Sequence, residues 1–345
     1  MIGGRKSAGE KGGLPHGVKT TVIIPVFNGE KTLPACLQSL AAQTDRDFRV
    51  LIIDDGSTDG SARVIRGFQA ARPELALEWI RTENRGAAEA RNAGLERVDT
   101  EYTAFMDQDD RVDPGYLAAY RRAAEETGAE AVCGGYLRVA PDGGRVLRRV
   151  CPGREPWAKF VVTAPWAHLY RTALLKDYGI RFLKTGLGED IYFTLMAYAH
   201  ARKAVTVPDT GYRWIDNPSS LSNSRQRRVR QEADPFLLMN RLWEDLPTDG
   251  AVTEAEKTYF LIRYGVWYLL FTLRRTEKTR WQAQYDRMTA WLRERIPDFP
   301  RHRMISLFGP KGEPMGIRLS VWGFAVLYRL GLARPLLGAL ARGRS

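Results

Sequence analysis

Three carboxylates, Asp107, Asp109 and Asp110, follow directly on a short apolar run at residues 103–106. That run reads as a strand rising out of a core. If the backbone stays extended, Asp107 and Asp109 project to the same side, because strand side chains alternate. Two carboxylates side by side repel each other unless something positive sits between them, and a hard divalent cation carrying a diphosphate would serve. The plainer reading is a solvated acidic turn, since Asp is common in turns. Two more acidic motifs stand elsewhere: Asp54-Asp55-Gly56-Ser57-Thr58-Asp59, and Gly188-Glu189-Asp190. The second of these opens a helix, where the helix dipole alone favours acidic side chains.

The elements that would position these motifs alternate in type. A β-branched run at 20–26 suits a strand buried on both faces. Pro25 lacks an N–H and is expected to end it. A helix is expected over 32–43, a strand over 49–53 and a helix over 61–71. Then come a strand over 77–81, a helix over 87–98 and a strand over 102–106. The βαβαβαβ order predicts an α/β fold, a mainly parallel sheet flanked by helices. Ligands of such sheets bind at the carboxyl ends of the strands, so the first two acidic motifs can share one crevice. Further on, a helix is expected over 114–127, strands over 131–139, 145–150, 204–208 and 210–215, and a helix from Gly188 to about 201. Four helical segments follow, at 226–245, 252–275, 278–295 and 318–340.

Composition bounds the partners. The chain has 345 residues, 44% of them hydrophobic, and a formal net charge of +12. A basic balance of this kind suits a polyanionic neighbour: nucleic acid, an anionic membrane face or a phosphorylated substrate. Three scattered cysteines without a C-x-x-C pair argue against a disulfide framework or a zinc site. Four histidines, none beside another ligand at metal spacing, favour a hard oxygen site over zinc. Residues 1–18 lack the apolar stretch of a signal peptide and read as a disordered leader. Residues 301–345 hold eight Lys or Arg against one acid, with apolar residues between them. They suggest a basic amphipathic helix on a membrane surface or, alternatively, a helix docked on its own domain.

The ordered set of motifs resembles the family 2 glycosyltransferases, with the GT-A fold. It runs from the Pro25–Glu30 loop through Asp54–Asp59, Asn84-Arg85-Gly86 with Arg91-Asn92, and Asp107–Asp110 to Gly188-Glu189-Asp190. The resemblance covers residues 20–224. It implies a GT-A domain over 19–224, followed by a helical C-terminal region over 225–345 with a basic tail. It implies an inverting enzyme, cytoplasmic or peripheral at the inner membrane face, that moves a sugar from a UDP-sugar to a glycan or lipid-linked acceptor. Nucleic acid is not implied as a partner, and the C-terminal helices could serve a homodimer.

The resemblance also assigns residues. Pro25, Phe27, Asn28, Glu30, Asp55, Gly56 and Ser57 would form the nucleotide-binding loops. Glu30 or Asp55 would accept from uracil or ribose, although Asp55 and Ser57 could equally cap a helix or brace a turn. Arg85 and Arg91 would lie near the nucleotide, and Arg91 could instead be a structural ion pair. Asp107 and Asp109 would hold Mn²⁺ or Mg²⁺, Asp109 most directly, while Asp110 could cap the following turn. Asp190 would be the general base. Trp166, His168, Glu189, Ser220 and Ser222 would face the acceptor or close over the substrate. Two rival readings are a non-enzymatic basic protein that binds nucleic acid or glycan, and a sugar-phosphate nucleotidyltransferase. The nucleotidyltransferase would want a Gly-rich phosphate loop where Pro25-Val26-Phe27-Asn28 stands.

Overall fold

The computed structural model describes residues 17–185, 188–217, 234–273 and 276–340. Ser220, Ser222, most of the leader and the boundary near 224 lie outside the described residues.

The first half follows the alternation: β1 (Thr20–Val26), α1 (Leu33–Ala41), β2 (Phe48–Asp54), α2 (Ser61–Ala71), β3 (Leu77–Arg81), α3 (Ala87–Arg97) and β4 (Tyr102–Phe105). After these come β5 (Arg111–Val112), α4 (Tyr116–Thr127), β6 (Ala131–Cys133), β7 (Tyr136–Val139), β8 (Val146–Val150), β9 (His168–Arg171), α5 (Thr172–Asp177), α6 (Glu189–His200), β10 (Ala204–Thr206) and β11 (Tyr212–Ile215). The main sheet has the order β10-β6-β9-β4-β1-β2-β3. It is parallel except for β9, which runs antiparallel to both β4 and β6. Every residue of β1 and β2 is buried, as their continuous apolar runs require.

Three expectations are corrected. First, β1 does not stop at Pro25 but runs to Val26. The Ile23 carbonyl accepts the Met106 N–H, so alternate residues from Ile23 face β4. Pro25 falls just past the paired stretch of β4, where a missing N–H costs no ladder bond. Second, the strand expected over 131–139 breaks in two at Gly134 and Gly135, where no side chain fits: a Cβ on Gly134 would lie 1.8 Å from the Tyr120 hydroxyl and one on Gly135 2.1 Å from the Val150 carbonyl. The chain leaves the main sheet there, and β5, β11, β7 and β8 form a second, four-stranded sheet.

Third, the helix expected over 318–340 is two helices, and it is not a free tail. Among the described residues, five α-helices build the C-terminal region: α7 (Pro235–Asp245), α8 (Glu254–Trp267, running on as a π-helical turn), α9 (Lys278–Arg295), α10 (Met315–Arg329) and α11 (Ala333–Leu340). The break before α11 carries Gly331 at φ +71°. Val321, Phe324 and Ala325 of α10 are buried, and Phe324 packs 6.3 Å from Tyr285 of α9. One hydrophobic core joins this region to the sheet, with Trp157 4.8 Å from Tyr259 and Phe160 5.9 Å from Phe260. None of the described helices is long and apolar enough to cross a membrane.

Candidate active site

The loops after β1 and β2 are knitted to each other. Asn28 sits at φ +50°, a left-handed conformation that Asn tolerates. Its side-chain oxygen accepts the Thr58 N–H at 2.8 Å, and its own N–H reaches the Ser57 hydroxyl at 3.0 Å. The Glu30 carboxylate accepts from the Gly60 N–H and from Arg63, while Asp59 accepts the Glu30 N–H. Gly56 turns at φ +74°, with the Asn84 backbone only 3.0 Å from where its Cβ would stand. Behind it, the two oxygens of Asp55 accept the N–H groups of Arg85 and Gly86 at 2.9 and 2.8 Å. The Arg85 side chain points out to Glu83. The geometry gives Glu30, Asp55 and Ser57 a bracing role, and the carboxylates of Glu30 and Asp55 keep lone pairs beyond these bonds. Phe27 is an exposed aromatic on this wall, 43% exposed.

Gln108 fixes that wall to the acidic motif. Its side-chain amide accepts the Phe27 N–H and donates to the Phe27 carbonyl, each at 3.0 Å. The motif itself splits three ways. Asp110 is fully buried; it accepts the Tyr212 hydroxyl at 2.6 Å and the Ile215 N–H at 2.9 Å, so it ties the motif to β11. Burial and the charges of Asp107 and Asp109 push its carboxyl well above the usual range, against the Tyr212 hydrogen bond. Asp107 accepts from Arg91 at 2.6 Å. Among the described residues Asp109 meets no cation. Burial, and then the charge of Asp107, push its carboxyl up to about 6.

Arg91 joins two motifs. Its guanidinium is buried on α3, donates to Asp107, and reaches Asp190 at 3.4 Å. It lies 5.4 Å over the ring of Phe182, which stacks on Phe193 of α6 at 4.0 Å. The next residue, Asn92, clips the Phe182 backbone at both N–H and C=O, each at 2.9 Å. This clip brings the segment before α6 against α3. Gly188, at φ +89°, then starts α6, and a Cβ there would strike Leu238 of α7. Glu189 and Asp190 fall in the first turn. Burial lifts the Asp190 carboxyl to about 7 against the pull of Arg91, with Glu189 and Asp107 adding to the rise.

The residues expected at the acceptor side part company. His168 is fully buried, bound to the Trp166 carbonyl and the Tyr198 hydroxyl, and burial lowers its pKa to about 4. It is a core histidine and does not face the crevice, which corrects its expected role. Trp166 is 9% exposed and stacks on Tyr212 at 4.7 Å and 9°. It supports the Tyr212 ring that holds Asp107 and Asp110, and it is not an open sugar platform. Glu189 stays beside Asp190, half-buried.

With this geometry in view, residues 21–179 match the family described as Glycosyl transferase family 2. The matched segment carries that family's domain. The chain is 27% identical over 222 residues to the glycosyltransferase GlyA of Streptococcus pneumoniae, covering 59% of this chain and 31% of that one. It is 28% identical over 206 residues to the poly(ribitol-phosphate) β-N-acetylglucosaminyltransferase TarS of Staphylococcus aureus, covering 56% of this chain and 35% of TarS. The matched segment thus spans about a third of either relative's length. A crystal structure of S. aureus TarS 1-349 in complex with UDP-GlcNAc superposes with TM-score 0.63 at 21% identity, over 91% of this chain and 92% of that one. That likeness shows the fold, the mainly parallel α/β architecture expected as GT-A.

The chain has no group of three or more His, Cys, Asp or Glu that could hold a metal ion by itself among the described residues. The donor set still fits a hard cation. Mg²⁺ and Mn²⁺ take one or two carboxylates and fill their remaining positions with phosphate oxygens and water. Asp109 offers an unpaired carboxylate, and Asp107 offers the oxygen that Arg91 leaves. Sequence reasoning missed the clips: Gln108 on Phe27, Asn92 on Phe182, and Tyr212 across Asp107 and Asp110. A signal was present for the first two, since an amide beside an acidic or basic motif can satisfy a backbone N–H and C=O together.

Proposed function

We propose that this transferase moves a sugar from a nucleotide-sugar, a UDP-sugar by the character of its loops, to a hydroxyl of a glycan or lipid-linked acceptor, with inversion at the anomeric carbon. The acceptor oxygen attacks that carbon from the face opposite the nucleoside diphosphate. The bond from the carbon to the phosphate oxygen breaks and its electrons leave with the diphosphate. The acceptor's proton passes to Asp190. The observation that carries this reading is the setting of Asp190: the first turn of α6, a carboxyl lifted to about 7, and a guanidinium shared with Asp107 of the acidic motif. A base with a pKa near working pH combines useful ionisation with useful basicity.

Asp109, with Asp107, would hold a divalent ion; when bound, it would neutralise charge building on the departing diphosphate. Phe27, with the backbone braced by Asn28, Glu30, Asp55 and Ser57, would form the wall for the base and ribose. The catalytic part would be residues 19–224, with 225–345 as a helical region behind it, and the enzyme would work at the cytoplasmic side of the membrane. The TarS complex with UDP-GlcNAc and the complex of a Pyrobaculum calidifontis mannosyltransferase with GDP-Man and Mn²⁺ support a nucleotide-sugar and a metal. The test is a panel of nucleotide-sugars with Mn²⁺, read as hydrolysis or thermal stabilisation. The reading predicts one preferred donor; no response to any donor would sink it.

A further inference from the structure

Helix α10 carries two apolar faces. Val321, Phe324 and Ala325 form the buried one. Met315, Leu319, Trp322, Val326 and Leu330 recur three or four residues apart on the opposite side. Met315, Leu319 and Leu330 are 70, 46 and 64% exposed. Phe308, 84% exposed, lies in the loop before α10, and the neighbouring Leu307 carbonyl accepts from Arg318 on the first turns of the helix. A helix docked on a core ordinarily turns a polar face to water. An apolar stripe there marks an interaction surface.

The charge around the stripe says what would cover it. Residues 301–345 contain one acid, Glu313. It is buried, taken up by Arg263 and the Trp157 ring N–H, each at 2.9 Å. Among the described residues of this segment, the surface charge is all positive: Arg301, Arg303, Lys311 and Arg329 are exposed. The acid that α9 brings to α11, Asp286, is matched by a two-pronged pair with Arg334. Exposed apolar side chains in a segment whose exposed charges are positive complement an anionic bilayer, with the side chains at the acyl boundary and the guanidinium groups at the lipid phosphates.

We propose that the outward face of α10, with Phe308 and the start of α11, seats the enzyme on an anionic phospholipid surface. The helix lies along the surface while its other face stays docked on the protein. This goes beyond the sugar-transfer reading and does not depend on it.

The test is co-sedimentation of the full chain with phosphatidylcholine vesicles, with and without phosphatidylglycerol. Anionic vesicles should bind at least ~10-fold more tightly than neutral ones, and added salt should weaken them. The double variant Leu319→Ser/Leu330→Ser should lose ~10-fold or more of that binding, with its circular dichroism unchanged because both side chains are exposed. Lys311→Glu/Arg329→Glu should act on the anionic vesicles alone. Equal pelleting on both vesicle types, or full binding by the serine variant, would overturn the proposal. So would a light-scattering dimer that dissolves in the serine variant while the wild type ignores vesicles, because the face would then belong to a second copy.

Discussion

Asp107 and Asp190, one after the fourth strand and one at the start of α6, are tied to each other through the Arg91 guanidinium, at 2.6 and 3.4 Å. Removing the shared cation should therefore disturb both. Arg91→Met leaves two crowded carboxylates uncompensated and is expected to destabilise the fold by about 3–5 kcal/mol, measured by urea denaturation. Arg91→Lys keeps the charge and loses the fork. With less pull on Asp190, the acid limb of the pH–rate profile should move to higher pH. An unmoved limb in the lysine variant would separate Arg91 from the base.

Asp190→Asn should lower kcat by about 10²–10⁴ with donor affinity unchanged, since a general base acts on the acceptor proton. In the wild type the rate should fall as pH drops through about 7, where the carboxyl takes up its proton. The stability effect has the opposite sense. The folded chain holds this proton more tightly than the unfolded chain, so the Asp190 contribution to stability falls as pH rises from about 4 towards 7. Thermal melts of wild type and Asp190→Asn across that window should converge at the acid end.

Binding of UDP measured by calorimetry should weaken when divalent ions are chelated and recover with Mn²⁺. In thermal terms, ligand at about 100 times its Kd stabilises by roughly 2.7 kcal/mol. Asp109→Asn should abolish the Mn²⁺-dependent part of that gain. A metal-independent affinity in the wild type would remove the metal from the reading.

Gln108→Ala releases both backbone groups of Phe27. Two hydrogen bonds at about 0.5–1.5 kcal/mol each give a donor bound about 5- to 150-fold more weakly with the fold intact. Unaltered affinity in this variant would mean that the Phe27 wall does not meet the nucleotide.

Gly94→Ala tests how α3 carries Arg91. A Cβ there would stand 2.6 Å from the Ile23 side chain of β1. Overpacking of about 1–3 kcal/mol should exceed the helix-propensity gain of about 1 kcal/mol. A stabilised variant, measured by urea denaturation, would show that α3 has room to move off the sheet.

The alternation of strands and helices through Phe105 was legible because its signals are local. Apolar runs such as 20–26, loops that start helices, and acids at strand ends each lie within a few residues. The second sheet was not legible, because it depends on Gly134 and Gly135 meeting Tyr120 and Val150, and no local pattern records that. The C-terminal segment was ambiguous for a related reason: its amphipathic pattern does not tell an exposed apolar face from a core face, and α10 carries one buried and one exposed apolar stripe.

The amino-acid sequence by itself determined the α/β alternation, the family resemblance and the carboxylates available for chemistry, since these follow from residue type and short spacing. Only the tertiary structure decided what each acid does. Asp110 is a strut to β11, Asp107 shares Arg91 with Asp190, Asp55 braces a loop, and Asp109 is left without a cation partner among the described residues. The reason is physical: a carboxylate's role is set by its burial and by which donors reach it, and here those donors come from β11, α3 and the Arg85–Gly86 backbone, all distant in the chain.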